Sequence, residues 1–435
     1  MTPERLGLLW GVTVFAGAVA QALAWLSGLP GVVLLLSAGL VIGRAGFGFV
    51  EPLDLGVGLG TVVGLLVSLV LFDGGINLRL PGDATQQAVL RIVLVRLGLA
   101  LGAGLVVAHT LAGLNWPLAA VFSAIVLATG PTVVNPLVRQ IRLSPPLGEV
   151  LEGEGLILEP IGAVLALLLL ELVLGDRHGW RDVALGLLQR LGGGVVIGAA
   201  CGWLLAEALR RIPGQSAGAL RLQLTVGTLF LMFSGCELLL PESGLPAAVA
   251  AGVVVGRRPD TNAAELDDLI RQLAQLAITM LFPLLAADVS WAELSPLGWG
   301  GVACVLVLML VVRPVGIGLA TWGLGFSLPQ RALMSWLAPR GIVTAAVASL
   351  FAIRLEQAGV AGAGRLQGLV FLTILLTVGL QGLSAGPLAR WLNLVDPEAP
   401  EPGSEAPDSE VSCSEAGADA GAIGAAAVEQ QPGGQ

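Results

Sequence analysis

The chain has 435 residues, of which 55% are hydrophobic and only 12% charged, with a mean hydropathy of +0.86. Charged residues make up about a quarter of a typical soluble domain, so a soluble globular protein is excluded. The 22 basic residues are all Arg and face 31 acids, but the formal charge of −9 gathers at one end, and nothing suggests a nucleic-acid partner.

Crossing a bilayer takes about twenty apolar residues. Runs of that length predict about thirteen spans, near 7–27, 30–48, 57–78, 86–110, 114–136, 150–174, 183–209, 218–239, 243–256, 268–288, 296–324, 330–352 and 364–391. The expected fold is an all-α polytopic membrane protein. The first run follows "MTPER" without a small-residue cleavage site and reads as a retained helix. The third span ends on "LFDGGINLRL", which carries Asp73, and the eleventh holds Arg313 in "LVVRPVG".

Two spans contain helix breakers. The fifth reads "LATGPTVVNP", with Gly130, Pro131 and Pro136, and the twelfth reads "WLAPRGIVTAA", with Pro339 and Gly341. Proline removes a backbone donor and disfavours helix at the residue before it. In hydrocarbon such a break survives only where protein or a cavity satisfies the freed groups. Pro131 stands 124 residues after residue 7, and Pro339 stands 121 after residue 218. Two six-helix halves joined by the seventh span therefore place each break at the fifth helix of its half. One extra helix inverts the second half, the pattern of a secondary transporter with crossed broken helices and a site at the midplane.

The sixth span, "VLEGEGLILEPIGAVLALLLLEL", carries Glu152, Glu154 and Glu159. Glu152 and Glu159 are about two turns apart and share a face, whereas Glu154 points elsewhere. Glu159 lies deepest, directly before Pro160, and is the candidate ion site. A buried carboxylate that holds either a proton or a small cation, but not both, makes an antiporter once its access alternates. The hydroxyl and carbonyl of Thr129 offer neutral oxygens suited to a hard cation, while Asn135 reads as helix packing. Glu154 is expected to pair with Arg340 and brace the crossing. Arg96, Arg190, Glu171, Glu207 and Glu237 are expected to snorkel or pair locally.

Loops on the N-terminal side carry about six Arg and the opposite loops about twelve, which predicts an outside N-terminus. Residues 1–392 form the transmembrane domain and 393–435 a disordered cytoplasmic tail, with nine acids and no base from Asp396 onward. The four Cys are scattered and read as small hydrophobes. No cofactor, metal cluster or catalytic Ser/His set is evident, so no enzyme is expected.

Five segments in this order resemble the sodium/proton exchangers of the first cation:proton antiporter family, including cyanobacterial members. They are "LFDGGINL", "ATGPTVVNP", "LEGEGLILEP", "RPVG" and "APRGIVTAAVA". The resemblance covers residues 7–392. It implies a homodimer of thirteen-helix protomers in a prokaryotic inner membrane, exchanging Na⁺ for H⁺ by an elevator-like motion. It also places Asp73 near the ion site and makes Glu154 and Arg340 a structural bridge. Three positions depart from the family pattern. Leu158-Glu159 replaces an Asn-Asp pair, Gly130 replaces an Asp, and Gly155 replaces a frequent Ser. A single titrating acid favours one-for-one exchange, with Na⁺, Li⁺ and K⁺ all open as substrates. The alternatives are a K⁺/H⁺ antiporter, an organic-anion symporter with crossed broken helices, and an inactive or regulatory membrane protein.

Overall fold

The computed structural model describes residues 3–56, 58–78, 82–144, 146–176, 179–212, 218–258 and 263–395. The acidic tail from residue 396 onward lies outside them. Its helices are α1 (Pro3–Ser27), α2 (Gly31–Ile42), α3 (Gly58–Asn77), α4 (Gly82–Thr110), α5 (Trp116–Ile125), α6 (Pro131–Ile141), α7 (Leu147–Leu174), α8 (Trp180–Arg210) and α9 (Gly218–Leu239). They continue with α10 (Gly244–Gly256), α11 (Ala263–Ala286), α12 (Trp291–Leu294), α13 (Gly298–Val307), α14 (Arg313–Ala320), α15 (Leu328–Trp336), α16 (Ile342–Gln357), α17 (Ala363–Leu376) and α18 (Gly382–Trp391). Among the described residues, nine helical segments are long and apolar enough to cross a membrane, and shorter apolar helices accompany them. Counting each interrupted helix as one segment, their order reproduces the thirteen expected spans.

Both breaks form where the sequence places Pro and Gly. Helix α5 starts on Asn115, whose side chain accepts from the Leu118 N–H at 2.9 Å, and it stops at Ile125. Pro131 then opens α6 from the extended residue Gly130. Helix α15 starts with a Ser327–Gln330 capping box and stops at Trp336, and α16 resumes after Gly341. The two breaks meet. Gly130 donates its backbone N–H to Pro339 O at 3.1 Å. A Cβ built on Gly130 would lie 2.2 Å from Gly341 Cα, so only glycine permits this approach.

Two π-helical turns face the second break. Leu308–Val312 precedes Arg313, and Thr377–Gln381 joins α17 to α18. From the latter, Gln381 Oε1 accepts from the Ala338 N–H at 3.0 Å, and Thr377 Oγ1 accepts from the Arg340 N–H at 3.3 Å. These side chains satisfy amides that the interrupted helix leaves free, as an apolar interior requires.

Candidate functional site

Helix α7 brings Glu159 to the crossing. Gly155, Glu159 and Gly162 follow at i, i+4 and i+7 and therefore share one face. A Cβ on Gly155 would meet Thr129 O at 3.2 Å, and one on Gly162 would meet Ala124 O at 3.2 Å. That face thus packs on the α5–α6 break, and Glu159 points into it. Glu159 is 0% exposed, and neither of its carboxyl oxygens has a hydrogen-bond partner. Thr129 Oγ1 and Thr344 Oγ1 are also buried and unpartnered. The first carbon of a side chain on Gly341 would fall 2.8 Å from Thr132 Oγ1 and 3.1 Å from Glu159 Oε1. The two oxygens therefore flank a common point. The N-termini of α6 and α16 start at Gly130 and Gly341, neither of which has a side-chain cap. Their partial positive charge favours an anionic group at this place.

The opposite ends of the broken helices carry the opposite chemistry. Arg96 donates to Leu127 O at 2.8 Å and Arg340 to Ala128 O at 2.8 Å, just past the end of α5. Arg313 donates to Met334 O at 3.2 Å and to Leu337 O at 3.0 Å at the end of α15. The guanidinium groups thus satisfy orphan carbonyls and oppose the negative helix ends.

The expected Glu154–Arg340 pair is not formed. Glu154 is 1% exposed and accepts from Arg313 Nη2 at 2.9 Å, with further salt bridges to Arg313 Nη1 and Arg96 Nη1. The π turn before Arg313 and the fourth helix deliver those two groups, while Arg340 is held by the Ala128 carbonyl. Arg96 accordingly neither snorkels nor pairs locally: it is 4% exposed, deep in the bundle. Arg190 and Glu171 do pair, at 2.8 Å.

Asp73 sits in a different network. Its Oδ1 accepts from Asn77 Nδ2 at 3.2 Å, and the same amide donates to Asp267 Oδ1 of α11 at 2.9 Å. Asp73 and Glu152 both lie within electrostatic reach of Arg139. Leu158 is fully buried in an apolar cluster with Leu127 and Val134. Asn135, whose Oδ1 has no partner, lies near Gly74 of α3. Thr132 and Thr344 escaped the sequence reading. Their nearness to Pro131 and Gly341 was the available signal.

A cavity of about 420 Å³ approaches the crossing from the side where α3 begins and α9 ends. Gly60, Val67, Phe233, Glu237, Glu242 and Val343 are among its lining residues. Val343 directly precedes Thr344.

The family model for the sodium/hydrogen exchanger, transmembrane, matches residues 11–391. The chain belongs to this family. Membership makes it an integral membrane protein and a monovalent cation/proton antiporter. It is 24% identical over 403 residues to the K(+)/H(+) antiporter NhaP2 of Shewanella sp. (strain MR-4), an overlap of 91% of this chain and 67% of that one. It is 25% identical over 411 residues to Na(+)/H(+) antiporter 1 of Methanocaldococcus jannaschii, covering 87% of this chain and 94% of that one. The structure of the sodium proton antiporter MjNhaP1 from the same organism, at pH 8, superposes with a TM-score of 0.77 at 24% identity, covering 89% and 98% of the two chains. In this chain a side chain at position 130 would collide with the Gly341 backbone.

Proposed function

We propose that this antiporter exchanges Na⁺ for H⁺ one for one, with Glu159 binding the two in alternation. The supporting observation is a fully buried carboxylate whose two oxygens have no partner, at a crossing lined by otherwise idle hydroxyls. Thr129, Thr132 and Thr344 supply neutral oxygens, and the carbonyls or water complete the cation shell. Without the cation, a proton neutralises Glu159, and the competition couples the two fluxes. Since one acid titrates at the crossing, the cycle carries no net charge. The 420 Å³ cavity is the access route from the face on which α3 begins, which the Arg bias identifies as the outside. The tail then lies in the cytoplasm. The moving body comprises α4–α7 and α12–α18, and a homodimer of the remaining helices anchors it in the inner membrane, as the family resemblance implies.

K⁺ is the second reading, favoured by the names of the Shewanella relatives. Proteoliposomes with an internal pH dye separate the two. Sodium addition is expected to move protons at lower concentration than potassium addition, and Glu159→Gln to abolish both responses while the protein remains monodisperse. Exchange that persists in Glu159→Gln would overturn the mechanism.

A further inference from the structure

Three cationic side chains share a small void inside the bundle. Arg96, Arg313 and Arg340 line a cavity of about 20 Å³, together with Ser123, Val126 and Gly316. The three arginines are 4%, 5% and 7% exposed. Glu154 forms salt bridges with Arg96 and Arg313, and among the described residues no carboxylate forms one with Arg340. Arg340 gives one N–H to Ala128 O at 2.8 Å, and its Nε has no hydrogen-bond partner.

The charges do not balance. The ends of α5 and α15 contribute about half a negative charge each. With one carboxylate, they leave the three guanidinium groups about one charge in excess. A buried charge is costly unless a counter-charge accompanies it. Water fills polar voids of about 10–15 Å³ or more, so this one has room for a single monatomic species. Water would satisfy a donor without cancelling the charge.

We infer that the cavity binds one small monovalent anion, of the chloride or bromide class, against Arg340. The anion is a resident counterion of the crossing. It accepts from Arg340 Nε and holds the guanidinium groups on the ends of the broken helices. Gluconate and sulfate are too large to enter. The site involves neither Glu159 nor the choice of transported cation.

The test uses the full chain in nonionic detergent at constant Na⁺ and ionic strength. Replacing chloride by gluconate is expected to lower the unfolding midpoint by several degrees, and bromide to restore it saturably, as linkage requires. An anomalous bromide peak beside Arg340 is expected in a structure obtained from bromide. Gly316→Ala supplies the control, because its new Cβ would make ordinary contacts, 3.6 Å from Leu99 Cδ2 and 4.0 Å from Arg96 Cγ. It narrows the void without disturbing the fold, so half-saturation by bromide should rise roughly tenfold. Equal midpoints in chloride and gluconate, water alone in the void, or an unchanged bromide response in Gly316→Ala would each overturn the inference.

Discussion

Gly130 gives its backbone N–H to Pro339 O at 3.1 Å, joining the two broken helices by their main chains. The contact leaves no room at either glycine. A Cβ on Gly130 would reach Gly341 Cα at 2.2 Å, and one on Gly341 would reach Gly130 Cα at 2.6 Å. Overpacking of a core costs about 1–3 kcal/mol, and backbone against backbone belongs at the upper end. Gly130→Ala and Gly341→Ala should therefore lose most transport and lower the detergent unfolding midpoint. Gly155→Ala, whose nearest neighbour would be Thr129 O at 3.2 Å, should lose clearly less. A Gly130→Ala protein as stable as the parent would show that the helices cross less closely.

Removing the carboxylate of Glu154 strips the partner from two buried guanidinium groups. Breaking one side of a buried ion pair costs about 3–5 kcal/mol. Glu154→Gln should lower stability by about that amount. Because Arg313 donates to Glu154 through both Nη atoms, Arg313→Met should couple strongly to Glu154→Gln in a double-mutant cycle on unfolding. Arg340→Met should couple weakly, since Ala128 O rather than Glu154 holds it. The reverse ranking would reinstate the Glu154–Arg340 bridge.

The π turn at Thr377–Gln381 has a similarly specific role. Thr377→Val and Gln381→Leu keep approximate volume but leave the Arg340 and Ala338 N–H groups without acceptors. An unsatisfied buried donor costs about 1–3 kcal/mol. Each substitution is expected to lower the unfolding midpoint, and Thr377→Ser, which restores the oxygen, to recover most of the loss. If Val and Ser at position 377 behave alike, the hydroxyl has no such role.

The sequence revealed local features and missed those that depend on which helices become neighbours. Apolar runs marked the spans, because hydrocarbon thickness sets their length. Pro131, Pro339 and the adjacent glycines marked both breaks, because their backbone chemistry acts within a few residues. The seven-residue spacing and depth singled out Glu159 on α7. The partner of Glu154 was not legible in this way, since Arg96, Arg313 and Arg340 all lie in apolar runs and only the tertiary arrangement chooses among them. The π turns carry no proline or glycine signal at the residues that cap the break. Asp73 stands out as an acid in sequence order, but the Asn77 amide that links it to Asp267 spans two helices and carries no local signal.

Glu242 lines the large cavity from the loop between α9 and α10. Burial and the neighbouring Glu237 carboxylate push its carboxyl from 4.5 up to about 7, against the opposing charges of Arg354 and Arg190. Between these two values the folded chain keeps a proton that the unfolded chain has released. Stability should therefore be higher on the acid side and fall as pH rises towards 7. Glu242→Gln should flatten that slope in unfolding midpoints measured across this range. The same ionisation places a negative charge at the cavity mouth above about pH 7, so the apparent KM for a cation entering from this face should drop there in the parent and remain flat in Glu242→Gln. Parallel pH profiles for the two proteins would show that Glu242 contributes neither to stability nor to cation entry.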